Sequence, residues 1–469
     1  MKQSYKNLIS DTAVFAAGNA LTKLIQFVLL PLYTALLTTE QYGVAELVNN
    51  TAELLYPLCC LGIYEGVLRY SIDEDSDKSA IFSTGIALAL ALAPLVIVFG
   101  VFGFAVAGFD YAGYLAALCI VLSLRMVCTQ FAKGIGKTRL YALSGIFGTV
   151  VLCIVSFIML DMARAGVAGY LIALIVGQAS QLVMVVIGAR MWRYLSLGSC
   201  SASSLRPLLR YSLPMIPNTL AWWFVNLSGR YIVFFFQGPA VAGLYTAASK
   251  LPAVINMLVS VFQQAWQIFS AREINSEDKG VSFELVLKVF TAFMLCSGAF
   301  VVALTDPIAR VLLSAEFYEA RRFVPLLMLG AIINGYSTYF GTLYNAAKQN
   351  SMIFVTTVVG AMTNVILGLI LCGLIGPWGP IAGSVAAYAV ISLMRIYDTR
   401  KIIVVKLDIP MQVVGLTVIL MEIVVITAGI SGSTLVSICL SAALVVFVFV
   451  RYRTIVAMLV GVVRERMRK

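Results

Sequence analysis

Four cations stand inside stretches that are otherwise apolar: Lys23, Arg125, Arg230 and Lys250. An ionisable side chain facing lipid costs several kcal/mol, so each must face a polar cavity, pair with an acid or snorkel to an interface. Lys23 lies about midway along its apolar stretch, where snorkelling is awkward, whereas Arg125 and Arg230 lie nearer the ends of theirs. Asn19, Lys23 and Gln26 recur at spacings of four and three, which puts them on one helical face ahead of Pro31. In the next apolar stretch Glu46, Asn49 or Asn50, and Glu53 recur at the same spacings, with Glu65 further along. Two carboxylates and two amides in one span form a polar wall. Glu53 is read as a structural partner of Lys23, as a site for substrate or a coupling ion, or as a lipid-facing or boundary-shifted residue.

A comparable set follows in "MIPNTLAWWFVNLSGR", where Asn218, Trp222, Asn226 and Arg230 recur every four residues and share one slanting face. The next stretch adds Tyr245, Lys250, Asn256, Gln263, Gln264 and Gln267. Amides and aromatic faces suit hydroxyl-rich sugars, and cations suit phosphate. Trp222 and Trp223 read equally as packing or as an interfacial belt.

These residues must be held by helices in a membrane. Of 469 residues 61% are hydrophobic and 12% charged, and apolar runs of roughly 20 residues, enough to cross about 30 Å of hydrocarbon, recur throughout. No alternating pattern of a transmembrane barrel is present, which leaves helices as the spanning element. Fourteen spans are expected, at about 12–36, 42–66, 79–107, 111–131, 141–161, 166–189, 208–235, 241–269, 282–304, 322–346, 352–375, 379–400, 408–429 and 431–450. The fold class is an all-alpha polytopic membrane protein with two six-helix lobes, 1–198 and 199–404, and a C-terminal helix pair with a basic tail, 405–469.

Charge gives an independent test of that count. One set of loops and ends holds 25 Lys and Arg residues, among them Lys2, Arg69, Lys133, Arg190, Arg272, Arg395 and Lys469, and the opposite set holds four, Arg164, Arg310, Arg321 and Arg322. The asymmetry predicts both termini in the cytoplasm. It also accounts for the net charge of +11 as topology and contact with anionic membrane lipids, leaving it no value as a sign of nucleic-acid binding.

Other chemistries fall away. The chain has no histidine, which excludes a histidine relay and a histidine-ligated metal. Its nine cysteines lack metal-ligand spacing and read as small core residues. "FAKGIGKTRL" has Phe131 where a phosphate loop needs glycine, so no nucleotide site is expected. No cofactor is expected.

"NALTKL" near Asn19 has a faint counterpart in "NTLAWW" near Asn218, and "YGVAEL" near Gly43 has one in "GLYTAA" near Gly243, both offset by close to 200 residues. Six expected helices separate each pair, so these would be parallel repeats, an arrangement suited to alternating access.

The stretches "NALTKLIQFVLLPLYTALLTTEQYG" (19–43), "LPMIPNTLAWWFVNLSGRYIV" (213–233) and "AGLYTAASKLPAVINML" (242–258) resemble the polysaccharide transporter family, oligosaccharide flippases related to multidrug and toxic compound extrusion transporters and to the lipid II flippase. The resemblance covers nearly the whole chain. It implies export of an undecaprenyl-diphosphate-linked glycan, an O-antigen-like unit of lipopolysaccharide, across the bacterial inner membrane. It further implies a proton or sodium gradient rather than nucleotide hydrolysis as the driving force, and a polysaccharide polymerase as partner. Lys23, Arg230, Lys250 and, more peripherally, Arg125 are then headgroup cations; Asn19, Gln26, Asn218, Trp222, Asn226 and Tyr245 meet sugar; Glu46 and Glu53 take the coupling ion. Transport of lipid II, export of cationic drugs and a membrane enzyme of glycolipid synthesis are the alternatives.

Overall fold

A computed structural model describes residues 21–454 apart from 23, 26, 74, 99, 101–107, 197, 199, 201, 275, 277–278, 348, 350 and 429–431. The described residues form helices and no strand. The helices are α1 (Phe27–Leu36), α2 (Thr39–Cys59), α3 (Ile63–Ser71), α4 (Lys78–Ile97), α5 (Ala112–Gly134), α6 (Thr138–Phe157), α7 (Gly166–Ala189), α8 (Ala202–Ser212), α9 (Met215–Gln237), α10 (Pro239–Glu273), α11 (Lys279–Ala303), α12 (Thr305–Leu312), α13 (Val324–Ala346), α14 (Ser351–Ile375), α15 (Trp378–Asp398), α16 (Ile409–Thr427) and α17 (Ser433–Arg451).

Among the described residues, ten helices are long and apolar enough to cross a membrane, and up to twelve spans result if each of two bent pairs counts as one. The chain is a multi-pass membrane protein. Of the fourteen expected spans, the first is represented among the described residues by α1 and the few residues before it. Another, α9, spans 23 residues but falls outside the apolar set, diluted by Asn218, Asn226 and Arg230.

The bends have local causes. α2 starts at a capping box, in which the Thr38 hydroxyl accepts from Gln41 N and the Gln41 side chain accepts from Thr38 N, each at 3.2 Å. It ends at Leu61 and Gly62, both with positive φ (52° and 60°), and α3 departs at 63°. Glycine carries that left-handed turn without a Cβ clash. A second break of 51° separates the 3₁₀ segment Ala315–Arg322 from α13. Elsewhere, Asp77 caps α4 by accepting from Ser79 N and Ala80 N at 2.9 and 3.0 Å.

The described residues form two compact units. The first comprises the described part of Met1–Thr246 with Leu313–Phe317 and Asn364–Pro380. One of its cores joins Tyr64, Val67, Phe82, Val127 and Phe131, with the rings of Phe82 and Phe131 4.5 Å apart. The second comprises Ala247–Leu312, Tyr318–Thr363 and the described residues from Ile381 onward. Its core centres on Trp266, which stacks on Tyr339 at 4.6 Å and donates to Tyr339 O at 3.1 Å. Large apolar side chains are nevertheless exposed in rows, such as Phe147, Val150 and Ile154 on α6 and Met362, Ile366 and Ile370 on α14. Lipid tails rather than water are the solvent for such faces.

Arg395, placed by charge counting with the cytoplasmic loops, is buried on α15 at 2% exposure. Its guanidinium donates to Thr356 Oγ1 at 3.1 Å, Ser337 O at 2.8 Å and Thr357 Oγ1 at 3.2 Å. Three hydroxyl-bearing residues on α13 and α14 thus solvate a cation inside the second unit, and that cation carries no topological information.

Candidate functional site

The site in the first unit is built on one face of α2. Successive turns bring Tyr42, Glu46 and Asn50 into line, and all three are buried. The Tyr42 hydroxyl donates to Glu46 Oε1 at 3.2 Å, and the Tyr170 hydroxyl, from α7, donates to the same oxygen at 2.9 Å. Tyr33 completes an aromatic cluster, its ring 4.8 Å from that of Tyr170. The other oxygen, Glu46 Oε2, lies 3.7 Å from Arg230 Nη1. That nitrogen also donates to Asn50 Oδ1 at 2.9 Å. An acid, a cation and an amide from α2 and α9 are thereby joined.

Around this centre the two helices are stitched by neutral bonds. Trp223 Nε1 donates to Asn50 O at 3.1 Å, and the Tyr231 and Thr51 hydroxyls share a bond of 2.6 Å. Asn364, on α14, fixes the other side of α9 by donating to Val225 O at 2.8 Å and Ser228 Oγ at 3.1 Å. One donor is left over. Asn50 is 2% exposed, yet its Nδ2 has no partner among the described residues. A buried amide hydrogen beside a guanidinium is suited to a phosphate or hydroxyl oxygen of a ligand.

The sequence-predicted residues divide accordingly. Glu46 and Arg230 are brought together. Glu53 is exposed further along α2, and Asn226 is exposed on α9, its amide donating to Trp222 O at 2.7 Å. Asn218 and Trp222 are half-buried on α9. Tyr245 is buried, its hydroxyl against the position where Gly229 lacks a Cβ. Arg125 is half-buried on α5 and bonds Gln181 of α7. Lys250 is half-buried on α10 in the second unit. Asn19, Lys23 and Gln26 lie outside the described residues.

Several contributors escaped sequence reasoning. Tyr42 and Tyr170 are 128 positions apart in the chain and ordinary in apolar context, so nothing local marks them as ligands of Glu46. Glu422, in contrast, had a signal: a lone acid in "GLTVILMEIVVIT". It is fully buried on α16 in the second unit, where Ser441 Oγ donates to Oε1 at 2.6 Å and Oε2 has no partner among the described residues.

Glu46, Asn50 and Arg230 thus bring a buried acid, a buried amide and a half-buried cation together on two helices of the first unit. The family described as polysaccharide biosynthesis protein matches residues 8–267, more than half of the chain, and the chain belongs to it. Its fold is shared with the structure titled "Lipid II flippase MurJ, inward closed conformation" at a TM-score of 0.72 and 16% identity, covering 95% of this chain and 100% of that one. An inward-facing multidrug resistance MATE family transporter of the MOP superfamily matches at a TM-score of 0.64 and 14% identity, over 81% of this chain and 98% of that one. A MOP superfamily transporter from Pyrococcus furiosus, whose title reports reverse polarity of the binding pocket, matches at 0.61 and 13%, over 84% and 95%. No curated protein matches in sequence.

Proposed function

We propose that the protein is a flippase that moves an undecaprenyl-diphosphate-linked oligosaccharide, an O-antigen-like repeat unit, across the bacterial inner membrane by ion-gradient-coupled alternating access. The observation that carries the reading is the Arg230–Asn50 pair, a half-buried cation beside a buried amide donor that has no partner among the described residues, within the stretch matched by the polysaccharide biosynthesis family. Charge and directional donors together are what a diphosphate headgroup needs. Lys23 and Lys250 serve as further headgroup cations, and Asn19, Gln26, Asn218, Trp222, Asn226 and Tyr245 as sugar contacts. The lipid tail stays in the bilayer while the headgroup crosses through a hydrated passage.

Glu46 and Glu53 are the proposed coupling acids, for a proton or sodium. A polysaccharide polymerase is the proposed partner. Both termini face the cytoplasm in this reading, so cysteine labelling should find Arg272 inside and Arg321 outside.

The test is transport of defined lipid-linked sugars in sealed vesicles, under pH and sodium gradients imposed separately. Arg230→Gln and Lys250→Gln should lower transport at matched abundance, and Glu46→Gln or Glu53→Gln should weaken the dependence on one gradient. Normal transport by both cation variants overturns the headgroup assignment. The match to MurJ favours lipid II as a second reading; transport of lipid II in preference to all glycan-linked diphosphates would select it. Export of a cationic dye with no lipid-linked cargo would select a drug antiporter instead.

A further inference from the structure

Away from the Glu46 cluster, α5, α6 and α7 enclose a different polar space. α6 and α7 approach through glycines: a Cβ on Gly148 would lie 2.9 Å from Gly177 O, and one on Gly177 would lie 3.1 Å from Gly148 O. Beside that crossing is a cavity of about 210 Å³, whose polar lining is Thr22, Arg125, Tyr141, Thr149, Gln178 and Gln181. Among the described residues, Arg125 supplies the only charge in the lining. Its Nη1 donates to Gln181 Oε1 at 3.2 Å and its Nη2 contacts Met126 Sδ at 3.5 Å, while Nε is buried without a partner. Among the described residues no carboxylate lies within ion-pair distance of it; Glu53 acts on it only through the longer-range field.

A guanidinium within a membrane bundle is costly unless a counter-charge accompanies it. Here the described residues provide a neutral amide, further neutral hydrogen-bonding groups and open volume, and no acid among them lies against the guanidinium. A cation is repelled from such a space. An oligosaccharide diphosphate is too large, because ligand cavities for even drug-sized molecules begin at about 300 Å³. A small anion meets every feature: one positive charge, an unused N–H beside it, and Tyr141, Gln178 and the two threonines to complete its shell.

We infer that the cavity between α5, α6 and α7 is a binding site for a small anion held by Arg125. The site is separate from the Arg230 cluster and stands whether or not the cargo is a glycolipid. Two sources offer this chemistry, a free inorganic anion and the phosphate of a lipid headgroup.

The purified full chain in neutral detergent tests both. Its melting temperature is followed as sodium gluconate is replaced by sodium chloride, bromide or phosphate at constant ionic strength, and separately as phosphatidylglycerol replaces phosphatidylcholine. A ligand that binds only the folded state raises the melting temperature in a saturable way. The expected result is a saturable rise that is absent in Arg125→Gln and partly retained in Arg125→Lys. A rise with inorganic salts assigns a free anion; a rise with phosphatidylglycerol alone assigns a lipid phosphate. Should Arg125→Gln fail to fold, Gln178→Leu and Tyr141→Phe keep the charge, and each is expected to raise the half-saturating concentration about tenfold, the loss of one bond to a charged ligand. Absence of any saturable rise overturns the inference, as does a rise undiminished in Arg125→Gln or an unchanged half-saturating concentration in both lining variants.

Discussion

Gly43 of α2 and Gly243 of α10 meet backbone to backbone. A Cβ on Gly43 would lie 2.1 Å from Pro239 O and 2.9 Å from Gly243 N; one on Gly243 would lie 1.9 Å from Thr39 O and 3.2 Å from Gly43 N. These are the glycines of the faint repeat "YGVAEL" and "GLYTAA". Both segments thus carry their glycine at one close crossing of α2 and α10. Thr39 is itself held there, its N–H and hydroxyl donating to Glu316 Oε1 at 2.7 and 2.9 Å.

Gly43→Ala and Gly243→Ala should each destabilise the protein by about 1–3 kcal/mol, because the clash is with backbone and the helices must separate. Thermal unfolding in detergent measures this. A melting temperature equal to that of the parent in both variants would mean that the helices do not approach so closely.

The Glu46–Arg230 pair is a second test. Arg230→Met removes the cation 3.7 Å from the buried Glu46 carboxylate and should cost about 3–5 kcal/mol. Adding Glu46→Gln should recover a large part, since glutamine still accepts from the Tyr42 and Tyr170 hydroxyls. Strictly additive losses in the double variant would show that the 3.7 Å approach contributes nothing.

Glu422 leads to the opposite expectation. Among the described residues it has one hydrogen bond, from Ser441, and its second oxygen has no partner. Glu422→Gln should therefore be neutral or stabilising, since a buried charge without a cation is unfavourable. A loss above about 1 kcal/mol, larger than one ordinary hydrogen bond, would point to a bound cation at Glu422.

The pH dependence of the helix pair α16–α17 can be read from Asp408, which precedes α16. Burial works to raise its carboxyl, but the bonds from Arg451, Tyr452 and Met411 N together prevail and hold it below the usual carboxylate range. Its stabilisation is thus fully present above the unfolded value of about 3.9 and is lost as pH falls through the lower folded value. The stability difference between the parent and Asp408→Asn should be flat above about pH 5 and shrink below about pH 4. A difference that grew on acidification would refute this assignment.

Hydropathy revealed most of the spans because bilayer thickness sets a minimum apolar length, and ten to twelve of the fourteen expected are present among the described residues. It was blind to the bends at Leu61–Gly62 and before α13, since apolar runs continue across a break whose cause is backbone conformation. The face carrying Glu46 and Asn50 was legible from helical spacing, as was Arg230 from its cost in an apolar segment. Their union was not, because partners on different helices leave no mark in local pattern. Arg395 shows the reverse failure. A cation near a span's end reads as topology, and only the packing of Ser337, Thr356 and Thr357 around it reveals a core residue.

The length of α10 sets a vertical coordinate. At 1.5 Å per residue its 35 residues extend about 52 Å, against about 30 Å of hydrocarbon. An average tilt of about 20° absorbs only a few ångströms of the excess. Some 20 Å of helix therefore stands in the headgroups or beyond, and Glu273 at its end resists being drawn back into lipid. Displacement of α10 along its own axis is bounded by that carboxylate, whereas rotation about the axis is not, which makes turning and tilting the cheaper motions for this helix.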